Sequence, residues 1–399
     1  MEKKKKTLPS LPEELIIQIL LRLPVKSLIC FKCVCKSWLS LISDPHFANS
    51  HFEITAATPT RRVLFIVQSR YVETESIDLE ASLNSHSSST SLYLNFMFYE
   101  SGYDLEIKGS CRGFILLHGY FNIYLWNPST GLHKKLPLSP YDGSKSNRDH
   151  FYGFGYDPSL DDYFLVSLSN DQKLAKTKHL EFFSLRANTW KEIEGNFPYI
   201  NGSDENPKKI GSFFNGAIHW YAFRHDLRYD VIIAFDLMEE KLLEMRLPDD
   251  VDYESKNCDL WVFGEYLSLW VMDFDTYAIE IWVMKEYKVH SSWTKTLVLA
   301  IDGSGIHFHY FSLICSTKSG DIIGSDNGKR LVKYNDRGEL LEYLPYSYSH
   351  VGYQTVLFIV EPYNNYWIDG GVLLGLMCSS SSDHVVRFPS EDWLRMIIL

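Results

Sequence analysis

No window of the 399 residues approaches the roughly 18 uninterrupted apolar residues of a membrane span, and the first residues carry lysines where a secretory leader has an apolar core. The expectation is a soluble chain without a membrane role, working in the cytoplasm, the nucleus or both. Cysteine is scarce: the seven present are an odd, scattered set, which excludes a disulfide framework and suits a reducing compartment, leaving the Asn201-Gly-Ser203 sequon idle. Basic charge is missing from most of the chain. Residues 1–52 hold eight Lys/Arg against four acids, a local +4, so the remainder carries −15 within a net charge of −11. An acidic body of this kind excludes general nucleic-acid binding, because phosphate neutralisation needs a basic surface. Catalytic signatures are missing too: there is no Gly-x-Ser-x-Gly elbow, no phosphate loop and no His-Glu-x-x-His zinc helix. "GFGYDP" at Gly153–Pro158 lacks a third glycine and a following helix, and reads as a strand and turn.

What is present divides into two textures. The chain is longer than one ordinary domain and, at 45% hydrophobic residues, can enclose a sizeable core. From Leu11 to Phe47 runs "LPEELIIQILLRLPVKSLICFKCVCKSWLSLISDPHF", which predicts three short helices. Ser10 and Glu13 have capping-box spacing, with Pro12 tolerated in the first turn and Pro24 as the stop. At about 100° per residue, Leu15, Ile16, Ile19, Leu20 and Leu23 share one broad face that Ile17 and Leu21 extend, leaving Gln18 and Arg22 as a polar gap. A second helical stretch carries Val25, Leu28, Ile29 and Phe31; a third carries Val34, Trp38, Leu41 and Ile42 and is broken by Asp44-Pro45. Three short helices cannot cover this much apolar surface, so the surplus is expected to be buried against another protein. The alternative is a helical hairpin that closes the core of the rest of the chain.

The order Leu11-Pro12-Glu13, Leu15, Ile19-Leu20, Arg22-Leu23-Pro24, Lys26-Ser27-Leu28, Phe31-Lys32, Val34-Cys35-Lys36-Ser37-Trp38, Leu41-Ile42 and Pro45-x-Phe47 closely resembles the F-box, particularly its plant form. The resemblance implies a small helical module that docks on the Skp-type adaptor of a cullin-RING ubiquitin ligase. It implies contacts from Leu11, Pro12, Leu15, Ile19, Leu20, Leu23, Pro24, Val25 and Leu28, with Trp38 and Leu41 at or supporting the interface. Lysine at Leu20 or Leu23 is then expected to break docking while the rest of the chain stays folded.

Residues 1–10 read as a basic tail, 11–52 as the helical module and 53–62 as a linker. From 63 to 362 the texture is β: aromatic and β-branched runs separated by Gly, Asn, Asp and Pro turns, with 363–399 as an extension. The β part repeats. Its units include Arg112-Gly113, Trp126-Asn127 and Leu136-Pro137; then Gly155, Phe183-Ser184 and Trp190; then Asn215-Gly216, Phe235-Asp236 and Leu247-Pro248; then Trp282-Val283 and Trp293; then Tyr334-Asn335. With Trp126, Phe183, Phe235, Val283 and Tyr334 as anchors, the intervals are 57, 52, 48 and 51 residues. A period near 50 with several strands in each predicts propeller blades, since each small sheet hides its faces only between neighbours. About six blades are expected, with Val63–Arg70 and Leu92–Tyr99 supplying an early one and Gln354–Glu361 a closing strand. The pattern, above all "EIWVMKEYKVHSSWTK" at Glu280–Lys295, resembles the F-box-associated domain of S-locus F-box-like and F-box/kelch-repeat proteins. It departs from true kelch sequence in having a single Gly-Gly pair, Gly370-Gly371.

The resemblance implies a non-catalytic substrate receptor without cofactor or metal, holding a target protein that the sequence does not identify. A Skp-binding scaffold and a propeller hydrolase are the alternatives. Loops Val72–Ser91, Ser139–His150, Tyr199–Lys209, Arg224–Asp230 and Asp249–Asn257 are candidate target contacts. Cys30, Cys33 and Cys35 are read as small helix-packing residues instead of zinc ligands, and His307 and His309 as a strand pair. Asp302, Asp321, Asp326 and Asp336 are read as turn formers, and Lys3–Lys6 as either a nuclear signal or a solvated tail.

Overall fold

The structure is a computed structural model that describes residues 11–56, 60–68, 72–80, 83, 89–93, 105–119, 122–128, 131, 133–141, 150–170, 178–200, 209–251, 256–273, 275–276, 278–300, 311–326, 330–345 and 356–361. The basic tail, His307, His309, Asp302, the Gly-Gly pair and the 363–399 extension lie outside these residues, as do most positions of the loops at 139–150 and 199–209. The chain divides into two compact units, one holding 1–60 with 129–132 and 361–399, the other 61–128 with 133–360.

The described residues of the first unit form four helices: α1 (Glu13–Leu20), α2 (Val25–Phe31), α3 (Lys36–Ile42) and α4 (Pro45–Ala56). Pro12 is the N-cap of α1, without a side-chain cap, so Glu13 opens the helix and does not close a capping box. The helix ends earlier than its apolar pattern suggests. Approaching Pro24, the chain tightens, and the Arg22 and Leu23 N–H groups donate to the Ile19 and Leu20 carbonyls at 3.1 and 3.0 Å.

α4 corrects the expected three-helix module and the 53–62 linker, because helix continues to Ala56 and strand begins at Thr60. Asp44-Pro45 ends α3, but it also starts the next helix. The Asp44 carboxylate accepts the His46 N–H at 2.8 Å and the Phe47 N–H at 3.4 Å, with Pro45 in the first turn where its missing N–H breaks nothing. Asp44→Ala should cost about 1 kcal/mol in α4, measured as roughly fivefold faster hydrogen exchange of its amides.

Among the described residues of the second unit the strands pair into six small sheets, with one short 3-10 turn at His290–Ser292. Five are built around runs of consecutive strands. The second sheet takes Glu106–Cys111, Phe114–His118, Ile123–Trp126 and His133–Leu136; the third takes Phe151–Asp157, Asp162–Asn170, Lys178–Ser184 and Thr189–Ile193, with Lys209–Ile210 added in parallel. The fourth is Ala217–Arg224, Tyr229–Asp236 and Lys241–Met245 with the short Tyr199–Ile200 and Ser212–Phe214. The fifth holds Lys256–Phe263, Tyr266–Asp273, Ala278–Met284 and Trp293–Ala300, and the sixth Phe311–Ser316, Ile322–Asp326, Arg330–Tyr334 and Leu340–Pro345. The first sheet is composite: Thr60–Gln68, Val72–Asp78 and Ser89–Tyr93 are completed by Val356–Glu361 from far along the chain.

Val72–Asp78 corrects the expected loop at 72–91. It pairs in register with Arg62–Gln68, and its polar sequence hid it because two of its buried positions are Thr74 and Ser76. Ser76 is matched by buried Arg62, whose Nε donates to the Ser76 hydroxyl at 2.8 Å. The expected loop at 224–230 is a tight hairpin between paired Arg224 and Tyr229.

All five repeat anchors fall at or next to the end of the third strand of sheets two to six. The residue after the anchor then holds the next turn. Ser184 Oγ accepts the Ala187 N–H at 3.0 Å, Asp236 accepts from Met238 and Glu239, and Asn335 accepts from Arg337 and Glu339. Arg112-Gly113 and Asn215-Gly216 make hairpin turns with φ of 50° and 80° and of 47° and 75°, the doubly left-handed geometry that matches strand twist.

Alternate residues of one strand serve different neighbours. In "VIIAFD", Ile233 and Phe235 pack on Phe164, Val166 and Phe182 of the third sheet, while Ile232 and Ala234 pack on Leu267 and Leu269 of the fifth. Sheets five and six share Trp270, Ile281, Phe311 and Tyr334; sheets six and one share Ile323, Leu331, Val63 and Ile77. Recurrent tryptophans clasp these junctions: Trp190 Nε1 donates to the Pro137 carbonyl at 3.0 Å and Trp293 Nε1 to that of Arg246 at 3.1 Å.

His219 ties the fourth sheet to Tyr287. Its Nδ1 donates to the Ser212 carbonyl at 3.1 Å, and its Nε2, 2.9 Å from the Tyr287 hydroxyl, accepts from it. Burial pushes this imidazole down to about 4 from an ordinary 6.5. The unfolded chain therefore takes the proton first as pH falls. Stability is full above pH 6.5 and drains away between about 6.5 and 4, by about 2 kcal/mol between pH 7 and pH 5. His219→Gln should flatten that part of a urea-midpoint profile.

Candidate partner-docking site

A helix with two apolar sides needs two things to lean on. At the end of α1, Leu20 and the C-cap Leu21 point inward and, with Leu28, Ile42, Phe47 and Ala48, form the interior of the helical unit, with partly buried Ile16, Ile17, Leu23, Phe31, Trp38 and Leu41 packed against it. On the other side Leu11, Leu15 and Ile19 follow one another at four-residue spacing and are 58%, 50% and 51% exposed. Arg22 borders this stripe, its Nη1 donating to the Gln18 carbonyl at 2.7 Å and to Gln18 Oε1 at 2.8 Å. What reads in sequence as one broad face is thus an inward and an outward stripe.

The candidate docking residues separate accordingly. Leu11, Pro12, Leu15 and Ile19 are exposed; Leu23, Pro24, Trp38 and Leu41 are partly covered; Leu20, Val25 and Leu28 are buried inside the unit. Trp38 meets Phe31 edge to face at 5.5 Å, bracing α3 on α2. Lysine at Leu20 would accordingly break the unit's own interior and would not serve as a docking test. Sequence reasoning missed what shelters Leu20 and Leu28. α4 brings Phe47, Ala48 and buried His51, and the His51 Nε2 donates to the Leu23 carbonyl at 2.8 Å. Burial holds that imidazole below its ordinary range. The signal was the Asp44-Pro45 helix start. Exposed Ile29, Val34, Leu39 and Ile54 were also passed over as surface.

The remaining candidates have structural roles. Cys30, Cys33 and Cys35 are exposed, which corrects their reading as packed residues. Among the described residues no group of three or more His, Cys, Asp or Glu is placed to hold a metal ion, and no helix is long and apolar enough to cross a membrane. Asp321 accepts from the Ser319 hydroxyl at 2.7 Å and pairs with Lys333 at 3.5 Å, serving its turn. Gly153 and Gly155 of "GFGYDP" sit where side chains of the neighbouring sheet crowd the backbone, not around a phosphate.

Comparison with known proteins covers both units. The family model of the F-box domain matches residues 8–49, and that of the F-box associated beta propeller domain matches residues 62–333. An F-box/kelch-repeat protein of Arabidopsis thaliana is 31% identical over 298 residues, spanning 72% of this chain and 79% of the relative. The F-box protein CPR1 of the same plant is 28% identical over 374 residues, spanning 85% and 86%.

Proposed function

The chain belongs to the F-box proteins that carry an F-box associated β-propeller, and from that premise we propose that it is the substrate receptor of a Skp–cullin–F-box ubiquitin ligase. The observation that carries the reading is the outward Leu11–Leu15–Ile19 stripe on a helical unit whose interior is already closed. A Skp-type adaptor covers the stripe and links the chain to the cullin-RING assembly. The β unit holds a target protein near the charged conjugating enzyme. No bond is made by this chain: it supplies proximity, which turns a bimolecular lysine transfer into a nearly intramolecular one. The β unit is read as a propeller whose composite first sheet joins strands from both ends of the β sequence. Loops between the strands are the target surface. The cytosol or nucleus is the proposed compartment, supported by three exposed free thiols.

The test is co-purification. The full chain is expected to bring down both a Skp-type adaptor and a cullin, and a bound protein should accumulate in cells when the chain is removed. Adaptor without cullin would favour the scaffold reading; neither would sink both.

A further inference from the structure

The three cysteines of the helical unit neither pack nor cluster for a metal, and two of them have a geometry of their own. α2 ends in a tight turn in which the Cys33 N–H donates to the Cys30 carbonyl at 3.1 Å. A turn closed by that bond holds the Cα atoms of residues i and i+3 within about 7 Å, overlapping the roughly 4.4–6.8 Å span of disulfides. Residues three apart at a helical end also share a side, so both side chains leave the backbone in related directions. Both residues are exposed, so a small oxidant reaches them without unfolding. Cys111, Cys258 and Cys315, by contrast, are buried inside the β unit.

We propose that Cys30 and Cys33 are a redox modification site, a dithiol that hydrogen peroxide closes reversibly into an intramolecular disulfide across the α2–α3 turn. The chemistry balances in two steps. One thiolate attacks the peroxide, giving a sulfenic acid and releasing hydroxide that takes up the thiol proton as water. The second thiol then displaces water from the sulfenic sulfur to form the S–S bond. Peroxide is reduced to two waters and the pair loses two electrons and two protons. A dithiol reductant restores both thiols by exchange. Cys35 is the competing thiol. It opens α3 in extended backbone, φ −162° and ψ 165°, and its sulfur lies 3.1 Å from the Ser37 hydroxyl. That contact, with backbone N–H groups of Trp38 and Ser37, holds the Cys35 thiol below its ordinary range. It is therefore the residue the experiment has to separate from the pair.

Lys32 lies between Cys30 and Cys33, and no trypsin site falls between Cys33 and Cys35. The full-length protein, treated with peroxide, blocked with an alkylating agent and digested with trypsin, should yield the Ser27–Lys32 and Cys33–Lys36 peptides joined through Cys30 and Cys33, with Cys35 alkylated. A dithiol should abolish the joined species, while Cys111, Cys258 and Cys315 stay unoxidised throughout. Cys33→Ser should remove it and Cys35→Ser should leave it. A loop within Cys33–Lys36 alone, a link through Cys35, or over-oxidation without a joined species would overturn the proposal.

Discussion

Lysine at both Leu15 and Ile19 should weaken adaptor binding by at least about a hundredfold while the protein still melts as the unaltered chain does. The two side chains are half exposed, so seating them on a partner removes about half of each from water, worth about 1 kcal/mol apiece. Replacing them with ammonium groups that must be desolvated against an apolar surface adds about 2 kcal/mol or more, and together this exceeds the ~2.7 kcal/mol of a hundredfold change. Neither residue belongs to the interior of the helical unit, so folding is spared. Leu20→Lys is the control with the opposite signature. Leu20 is buried among Leu28, Ile42 and Phe47, and a charge there should collapse the helical circular dichroism together with binding. Isothermal titration with a purified adaptor, beside melting curves of each variant, separates the two outcomes. Unchanged affinity in the folded double variant would remove the outward stripe from the docking surface.

Gly153→Ala should be among the most damaging single-methyl additions in the β unit. A Cβ at this position would lie 2.3 Å from Ile218 Cγ2 and 2.8 Å from Trp220 Cζ2. Neither group has room to retreat, since Ile218 and Trp220 are buried between the third and fourth sheets and the Trp220 indole N–H is bonded to the Tyr152 carbonyl at 2.8 Å. Overpacking of this kind costs about 3 kcal/mol. For a β unit of this size that corresponds to a melting point lowered by roughly 5 °C or more. Adding Ile218→Ala to Gly153→Ala should recover part of the loss, a coupling of at least about 1 kcal/mol in a double-mutant cycle, because it removes the methyl that the new Cβ strikes. Additive losses would mean that Ile218 does not occupy the space a Cβ at residue 153 would take.

The range of the forces involved decides how much of this was legible in the chain alone. The spacing of Trp126, Phe183, Phe235, Val283 and Tyr334 revealed a repeating β unit because each anchor obeys a local rule. It lies at or next to the end of a third strand, and the residue after it closes the turn with its own side chain in the cases of Ser184, Asp236 and Asn335. The helical period likewise put Leu15 and Ile19 on one apolar face, whereas Leu11 entered as a docking candidate through the F-box resemblance. Hairpin turns such as Asn215-Gly216 were readable for the same reason, since two adjacent residues carry the whole conformational requirement.

Sequence by itself therefore determined the two textures, the period near 50 and the helical surplus of apolar residues, all of which are short-range patterns of burial and turn chemistry. Only tertiary structure decided which apolar residues face inward. Leu20 and Leu28 are interior because α4 closes over them, and Val72–Asp78 is held as a strand with its serine satisfied by the side chain of buried Arg62. In "GFGYDP", Gly153 is needed because Ile218 and Trp220 arrive from another sheet, and Gly155 because Phe213 and Leu237 do. Long-range packing sets those outcomes, and no window of neighbouring residues contains its partners.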